Sequence, residues 1–327
     1  MSGLIEEMFA RQLEERKQRL QEAATRASDT RQIHDLLEDV DRALAKISAG
    51  NYGLCESCHE PIEPERLAFD PMTRYCVDHL SETEQHALER DIDLARQMQT
   101  RLLPARDLIL PSWTSHFHYE PFGQVSGDYC DIITRDSSAE SFYFVVGDVT
   151  GKGIAASLLM SQLHAMFRTL AGSGLSLCEL MERINRLFCE ASLTTHFATL
   201  VSGIAHKSGE IEISNAGHCL PLIIRQRKID RLSTSGLPLG VTCDAQYRTE
   251  TKELRSGDTL FLYTDGLTES ATQSGELYGE NRLLDLLKDA SSVSPVKLAE
   301  SCLADLTRFT GQGGRSDDLT LMVLRKE

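Results

Sequence analysis

The stretch Val146-Gly-Asp-Val-Thr-Gly-Lys-Gly-Ile-Ala-Ala156 constrains this chain more than any other. The apolar run Phe142 to Val146 precedes it and a helical pattern follows. Asp148 is therefore expected where a buried strand ends and the backbone turns through Gly151 and Gly153. Three further acids share that setting. Asp128 follows Gly127 just before an alternating run, Asp265 closes Thr259-Leu-Phe-Leu-Tyr-Thr264 and precedes Gly266, and Asp317-Asp318 precede Leu319 to Leu324. Any one of them alone is an ordinary turn aspartate. Together, each at the edge of an apolar strand beside a Gly or a second Asp, they read as one oxygen-rich cluster that requires cations inside it.

Composition narrows the class. A chain of 327 residues with 41% hydrophobic content can bury a core and is long enough for two domains. A net charge of −15 argues against direct nucleic-acid binding and against a surface seeking anionic lipid, since both need clustered Lys and Arg. No apolar run approaches membrane-spanning length and Met1-Ser-Gly-Leu-Ile-Glu-Glu7 lacks a basic secretory start, so a cytoplasmic protein without a membrane partner is expected. Nine cysteines, an odd number, suggest reduced thiols, some of them metal ligands.

From residue 4 to 26 sparse apolar positions (Leu4, Ile5, Met8, Phe9, Leu13, Leu20) mark a solvated helix with one apolar seam. Ser28-Asp-Thr30 interrupts it. Ile33, Leu36, Leu37, Val40, Leu44 and Ile47 then restart the helical spacing up to Gly50, so residues 1–50 read as a helical hairpin, a solubilising dimerisation arm in its plainest reading. Cys55-Glu-Ser-Cys58 and Cys76-Val-Asp-His79 follow, separated by seventeen residues. Two pairs of soft ligands, each with two residues between partners, suit one tetrahedral structural zinc with no position left for water; His59 competes with His79 for the fourth place. Leu44-Ala-Lys-Ile-Ser-Ala-Gly-Asn-Tyr-Gly-Leu-Cys-Glu-Ser-Cys58, with Glu65-Arg-Leu67 and Cys76, resembles the DksA/TraR zinc finger over residues 33 to 80, with His79 where that family usually has Cys. Relatives of that finger reach into RNA polymerase with a long, acid-tipped coiled coil. The helices here are short and Ser28-Asp-Thr30 matches such a tip poorly. Residues 82 to 103 form a third helical pattern, with Leu88, Ile92, Ala95, Met98 and Leu102 near heptad spacing and Pro104 stopping it.

From Pro111 the period changes. Phe142 to Val146, Phe197 to Ile204, Ile211 to Ser214, Leu220 to Ile224, Leu260 to Tyr263 and Leu319 to Leu324 read as strands. Ile154 to Leu170, Leu177 to Glu190, Asn281 to Ala290 and Pro295 to Phe309 read as helices. Runs of strands broken by pairs of helices favour a layered α+β domain. Ser126-Gly-Asp-Tyr129, Gly147-Asp-Val-Thr-Gly-Lys-Gly153, Asn215-Ala-Gly-His218, Gly236-Leu-Pro-Leu-Gly240, Tyr263-Thr-Asp-Gly266 and Ser316-Asp-Asp-Leu-Thr320 occur in the order found in the SpoIIE/RsbU type of PPM (PP2C-like) serine/threonine phosphatases, and the resemblance spans about residues 112 to 327. It implies an α-β-β-α sandwich with metals at one edge. The domains are then expected as hairpin 1–50, zinc finger 51–80, linker helix 81–110, either packing across a homodimer or serving as a plain connector, and phosphatase domain 111–327.

Phosphomonoester hydrolysis is slow because an oxygen nucleophile must approach a dianion; two divalent ions acidify a shared water and neutralise the phosphate, and hard carboxylates select Mg²⁺ or Mn²⁺. The resemblance implies that Asp148 bridges the ions with the Val149 carbonyl on the first, that Asp265 and Asp317 hold the second, and that Asp128 contacts a metal-held water. Ser126 departs from the usual Gly and Ala155 from a common Pro, and Asp318 competes with Asp317. Asp131 reads as a solvated strand residue, His218 as a hydrogen-bonded structural residue beginning a strand, and Lys152 as a solvated turn lysine. His116 and His118 lack partners that would make them ligands, while Cys130, Cys178, Cys189, Cys219, Cys243 and Cys302 read mostly as core. The expected substrate is phosphoserine or phosphothreonine on a bacterial regulator such as an anti-sigma-factor antagonist. The rival reading is a binding protein whose finger contacts transcription machinery while the phosphatase-like domain is a scaffold. Four clustered carboxylates weigh against it, because unused acids are costly to hold together.

Overall fold

A computed structural model describes residues 3–24, 31–80, 82–134, 140–192, 196–288, 293–311, 315 and 317–327; Ser28-Asp-Thr30 and Ser316 lie outside them. The chain divides into two units, Met1–Asp91 and Ile92–Glu327. Among the described residues no helix is long and apolar enough to cross a membrane.

In the first unit α1 (Gly3–Ala24) packs on α2 (Arg31–Ser48), and α3 (Pro64–Phe69) belongs to the finger. The apolar seam of α1 is used within the chain. Phe9 and Leu13 are buried with Val40 and Ala43 of α2 and with Tyr52, Cys55, Leu67 and Cys76 of the finger. Phe9 meets the Tyr52 ring at 5.7 Å between centroids. The thiols are thus walled by the same small core that joins the helices. A module this small needs such a staple, since its apolar burial alone is marginal.

Helix α4 (Glu82–Leu102) runs from the first unit into the second. The second unit contains eleven strands and five further helices among the described residues. Strands β1 (Asp107–Leu110), β2 (Trp113–Glu120), β11 (Leu319–Lys326), β10 (Thr259–Tyr263), β7 (Leu222–Arg225) and β8 (Lys228–Arg231) form one sheet in that order. Strands β3 (Asp128–Thr134), β4 (Ser141–Val149), β5 (Ala198–His206), β6 (Glu210–Ala216) and β9 (Glu250–Glu253) form the other. Both sheets are antiparallel throughout their described pairings. Helices α5 (Ile154–Leu170) and α6 (Leu177–Ala191) cover the second sheet; α8 (Gly279–Lys288) and α9 (Pro295–Thr310) cover the first, and the single turn α7 (Asp265–Thr268) follows β10.

The four layers explain why the strands read as continuous apolar runs rather than alternating ones. Along β4, Phe142, Phe144 and Val146 enter the core between the sheets, while Tyr143, Val145 and Val149 enter the core beneath α5 and α6. Along β11, Met322 and Leu324 face inward and Leu319, Leu321 and Val323 face α9 and α8. Helix α6 starts at a capping box in which Ser176 and Glu179 satisfy each other's backbone N–H groups. Helix α9 starts with Ser294 as cap and Pro295 in the first turn.

Candidate active site

The layers bring four strand ends to one edge. Asp128 opens β3 and sits directly opposite Asp148 in β4. Asp265 opens α7 at the end of β10, and Asp317 precedes β11, whose Leu321 pairs with Tyr263 of β10. Strand β4 continues through Asp148 to Val149, so Asp148 is the penultimate strand residue. The Gly after Asp265 is required sterically: a Cβ on Gly266 would lie 1.8 Å from the Asp318 carbonyl oxygen. Gly151 and Gly153 take φ of 98° and 75° in the turn that leads into α5.

Like charges and burial dominate the electrostatics. Burial pushes the Asp148 carboxyl up to about 8, with Asp265, Asp317 and Asp318 adding to the effect. Asp265 is raised by burial and by Glu269 and Asp317. Asp128 is raised well above the usual range by burial and Asp148, although the Thr320 and Thr264 hydroxyls both donate to its Oδ2. These are the conditions under which divalent cations fit, because each one supplies the positive charge the acids lack. Asp317 lies at the open side, with Oδ2 3.1 Å from the Lys152 ammonium, which also stands over the Phe122 ring at 5.1 Å. Asp318 has a different task. Its two oxygens accept the N–H groups of Phe122 at 2.7 Å and Gly127 at 2.9 Å, tying the β11 entrance to the loop before β3.

Other positions follow from the packing. Gln99 of α4 is buried and reads the backbone of Ser126 from both sides, donating to its carbonyl at 2.7 Å and accepting from its N–H at 3.0 Å. Asp131 is fully buried, not solvated, and pairs with the Arg168 guanidinium of α5 through bonds of 2.8 and 2.6 Å. His218 is buried, shares a hydrogen bond of 2.8 Å with Thr199, and is pushed down to about 4 by burial, so it is neutral at pH 7. His116 and His118 pair with Asp107 and Glu120. Gln99, Thr264, Thr320 and Glu269 had no role in the sequence reading, and Asp318 entered it only as a competitor of Asp317 for metal. Only Thr264, Thr320 and Asp318 carried a signal, as neighbours inside the acidic motifs. A cavity of about 870 Å³ lined by Arg225, Arg231 and Lys252 holds none of the four acids.

In the first unit Cys55, Cys58, Cys76 and His79 bring one ligand atom each within 4.8 Å of the others; His59 is not in that group. Cys58 Sγ is 3.8 Å from Cys76 Sγ, which is 3.2 Å from His79 Nδ1. Burial opposes ionisation of Cys55, yet the backbone groups of Cys58, Cys76 and Ser57 bring it down to about 6, while burial and the neighbouring thiols push Cys76 up to about 11. Three thiols and an imidazole this close, one already inclined to be thiolate, fit zinc. Glu56 beside them is held near 2 by Arg74 and Lys46.

Comparison with known proteins agrees with this division. Residues 138–327 match the family described as Stage II sporulation protein E (SpoIIE), and residues 50–78 match the prokaryotic dksA/traR C4-type zinc finger. Phosphoserine phosphatase RsbU of Bacillus subtilis is 27% identical over 248 residues, covering 74% of this chain and 72% of its own length. Protein IcfG of a Synechocystis species is 24% identical over 263 residues, which are 72% of this chain but 41% of that protein. The SiaA-PP2C domain of Pseudomonas aeruginosa superposes with a TM-score of 0.66 at 20% identity, covering 75% of this chain and 98% of that domain, a likeness of fold.

Proposed function

The chain belongs to the SpoIIE family of PP2C-like proteins, and from that premise we propose that it is a metal-dependent protein serine/threonine phosphatase. Its substrate is phosphoserine or phosphothreonine on a bacterial regulatory protein, such as an anti-sigma-factor antagonist. The observation that carries the reading is the convergence of four acids at one sandwich edge, Asp128 buried and Asp148, Asp265 and Asp317 half-buried, with Asp148 pushed up to about 8 by burial and its acidic neighbours. We assign Asp148 and the Val149 carbonyl to one Mg²⁺ or Mn²⁺, and Asp148, Asp265 and Asp317 to a second. When bound, such a pair makes water a nucleophile near neutral pH and offsets the phosphate charge.

The chain's own residues do the positioning. Thr264 and Thr320 hold Asp128 in one orientation through its Oδ2. Asp318 ties together the loops that carry Asp128 and Asp317. Lys152, with its ammonium 3.1 Å from Asp317, draws the anionic substrate toward the acids. A protein substrate suits the surroundings, since the exposed side chains of Phe122, Ile154 and Phe197 stand beside this edge. We place the phosphatase domain at 111–327, with β1 adding an edge strand, after a hairpin at 1–50, a zinc finger at 51–80 holding one structural zinc on Cys55, Cys58, Cys76 and His79, and a linker helix at 81–110. Leu94 and Met98, exposed on α4, support a homodimer through that helix. A cytoplasmic location accords with the reduced thiols this reading requires.

The test is hydrolysis of a phosphoserine peptide by the purified chain with Mn²⁺, Mg²⁺ or chelator, beside Asp265→Asn. Activity that requires metal and disappears in the variant is expected. Activity indifferent to chelator, or retained by Asp265→Asn, overturns the assignment.

A further inference from the structure

Two of the cysteines outside the finger are neighbours, Cys189 within side-chain hydrogen-bonding reach of Cys243. Asn185 and Cys189 lie four residues apart on α6 and therefore share a face of the helix. The Asn185 amide clamps the loop that crosses that face, donating to the Thr242 carbonyl at 2.8 Å and accepting from the Gly240 N–H at 2.9 Å. Phe188 closes the clamp from beside it: a Cβ on Gly240 would lie 3.0 Å from its ring. The residue after Thr242 is Cys243, which is exposed, and Cys189 one turn beyond Asn185 is half-buried. Both are free thiols.

We propose that Cys189 and Cys243 are a reversible dithiol–disulfide pair that responds to a peroxide and, when oxidised, staples the 240–243 loop to α6. A disulfide tolerates little misplacement of its two side chains, and the Asn185 clamp holds the loop that carries Cys243 against the helix face that carries Cys189. Roles within the pair follow from exposure and charge. Burial, the adjacent Cys243 and the acids Asp244 and Glu190 push the Cys189 thiol up to about 11, so it stays protonated and takes the resolving place. Cys243 meets the oxidant: its thiolate attacks the peroxide, the O–O bond breaks, a sulfenic acid forms at Cys243 and hydroxide leaves. The Cys189 sulfur then attacks that of Cys243. The S–O bond breaks as the S–S bond forms, and the departing hydroxide takes the Cys189 proton and leaves as water. Two electrons pass from the two sulfurs to one peroxide.

The stapled loop is not remote from the acids. Leu239, next to it, pairs with Ala198 in β5, and the neighbouring Thr199 lies opposite Asp148. Oxidation would therefore fix one wall of that edge through a bond absent from the reduced protein.

The experiment exposes the full, zinc-replete chain to hydrogen peroxide, blocks remaining thiols and maps tryptic peptides without reductant. Residues 187–207 and 232–248 are separate tryptic peptides with one cysteine each. The expected result is one linked species joining these peptides in most chains, with loss of both thiols from alkylation and recovery of both on treatment with a dithiol. Cys189→Ser and Cys243→Ser should each abolish the link. Asn185→Ala should slow its formation several-fold. Cys189 remaining alkylatable while Cys243 is converted to sulfinic acid, or Cys243 linked to another cysteine or another chain, overturns the proposal.

Discussion

At the finger, four ligand atoms from Cys55, Cys58, Cys76 and His79 lie within 4.8 Å of one another, and two of the thiols are buried in the core that joins α1 and α2. At the sandwich edge, among the described residues, no three of the acids come that close, and they come from separate places, Asp128 from β3, Asp148 from β4, Asp265 from α7 and Asp317 from just before β11. The difference is one of purpose written in chemistry. Soft ligands drawn into a closed shell leave no position for water and spend their binding on folding. Hard carboxylates spaced on separate elements would leave room between them for ions, water and substrate.

The largest effect is expected at the finger. Chelation of zinc, or Cys76→Ser, should unfold the first unit, since zinc-linked folding is on the order of 10 kcal/mol in small fingers. Circular dichroism should then show loss of the α1 and α2 contribution while the second unit keeps its melting transition. A second unit that melts with the first would mean the two centres are not energetically separate.

At the edge the opposite pattern is expected. Asp265→Asn should lower hydrolysis on the order of a hundredfold or more, a loss typical of disturbed metal sites, yet leave the metal-free protein as stable as before or more so, because it removes one of the charges that raise Asp148. Calorimetry of the metal-free variant reads this directly.

A third test concerns His218. Its pKa in the folded protein, about 4, lies below the ordinary value of 6.5, so the unfolded chain binds the extra proton first. The neutral imidazole therefore supports full stability above pH 6.5, and that support falls away as pH drops toward 4, by up to about 3 kcal/mol. Asp148, whose pKa is raised, works with the opposite sign. The quantity to measure is the wild-type minus His218→Asn difference in unfolding free energy across that window; a flat difference would refute the assignment.

The smallest effect is expected at Gln99→Ala, which removes both bonds to the Ser126 backbone and should cost about 1–3 kcal/mol. Metal affinity should weaken with it, because Ser126 bonds the N–H of Asp128. Unchanged affinity in a metal titration would make Gln99 a support of α4 alone.

Much of this was legible in the chain. Apolar runs doubled on both faces announced strands buried between layers, and each acid was marked by the Gly or Asp beside it, because the tight turns at a strand edge admit little else. The short strands β8, Lys228–Arg231, and β9, Glu250–Glu253, were not visible, since charged edge strands look like turns. Asp131 was misread as solvated because its partner, Arg168, lies on a helix that only packing brings near.

By itself the sequence determined which residue types stand at which element ends: soft ligands in closely spaced pairs, hard ligands at strand termini, and a helix start after each cap. Those are local properties, set by backbone sterics and side-chain period. Only the tertiary structure decided between His79 and His59 within the thiol group, gave Asp318 to the backbone and left Asp317 open, and set Cys243 beside Cys189. Each of those choices depends on which atoms meet across dozens or hundreds of residues, and a chain read in order carries no distance between them.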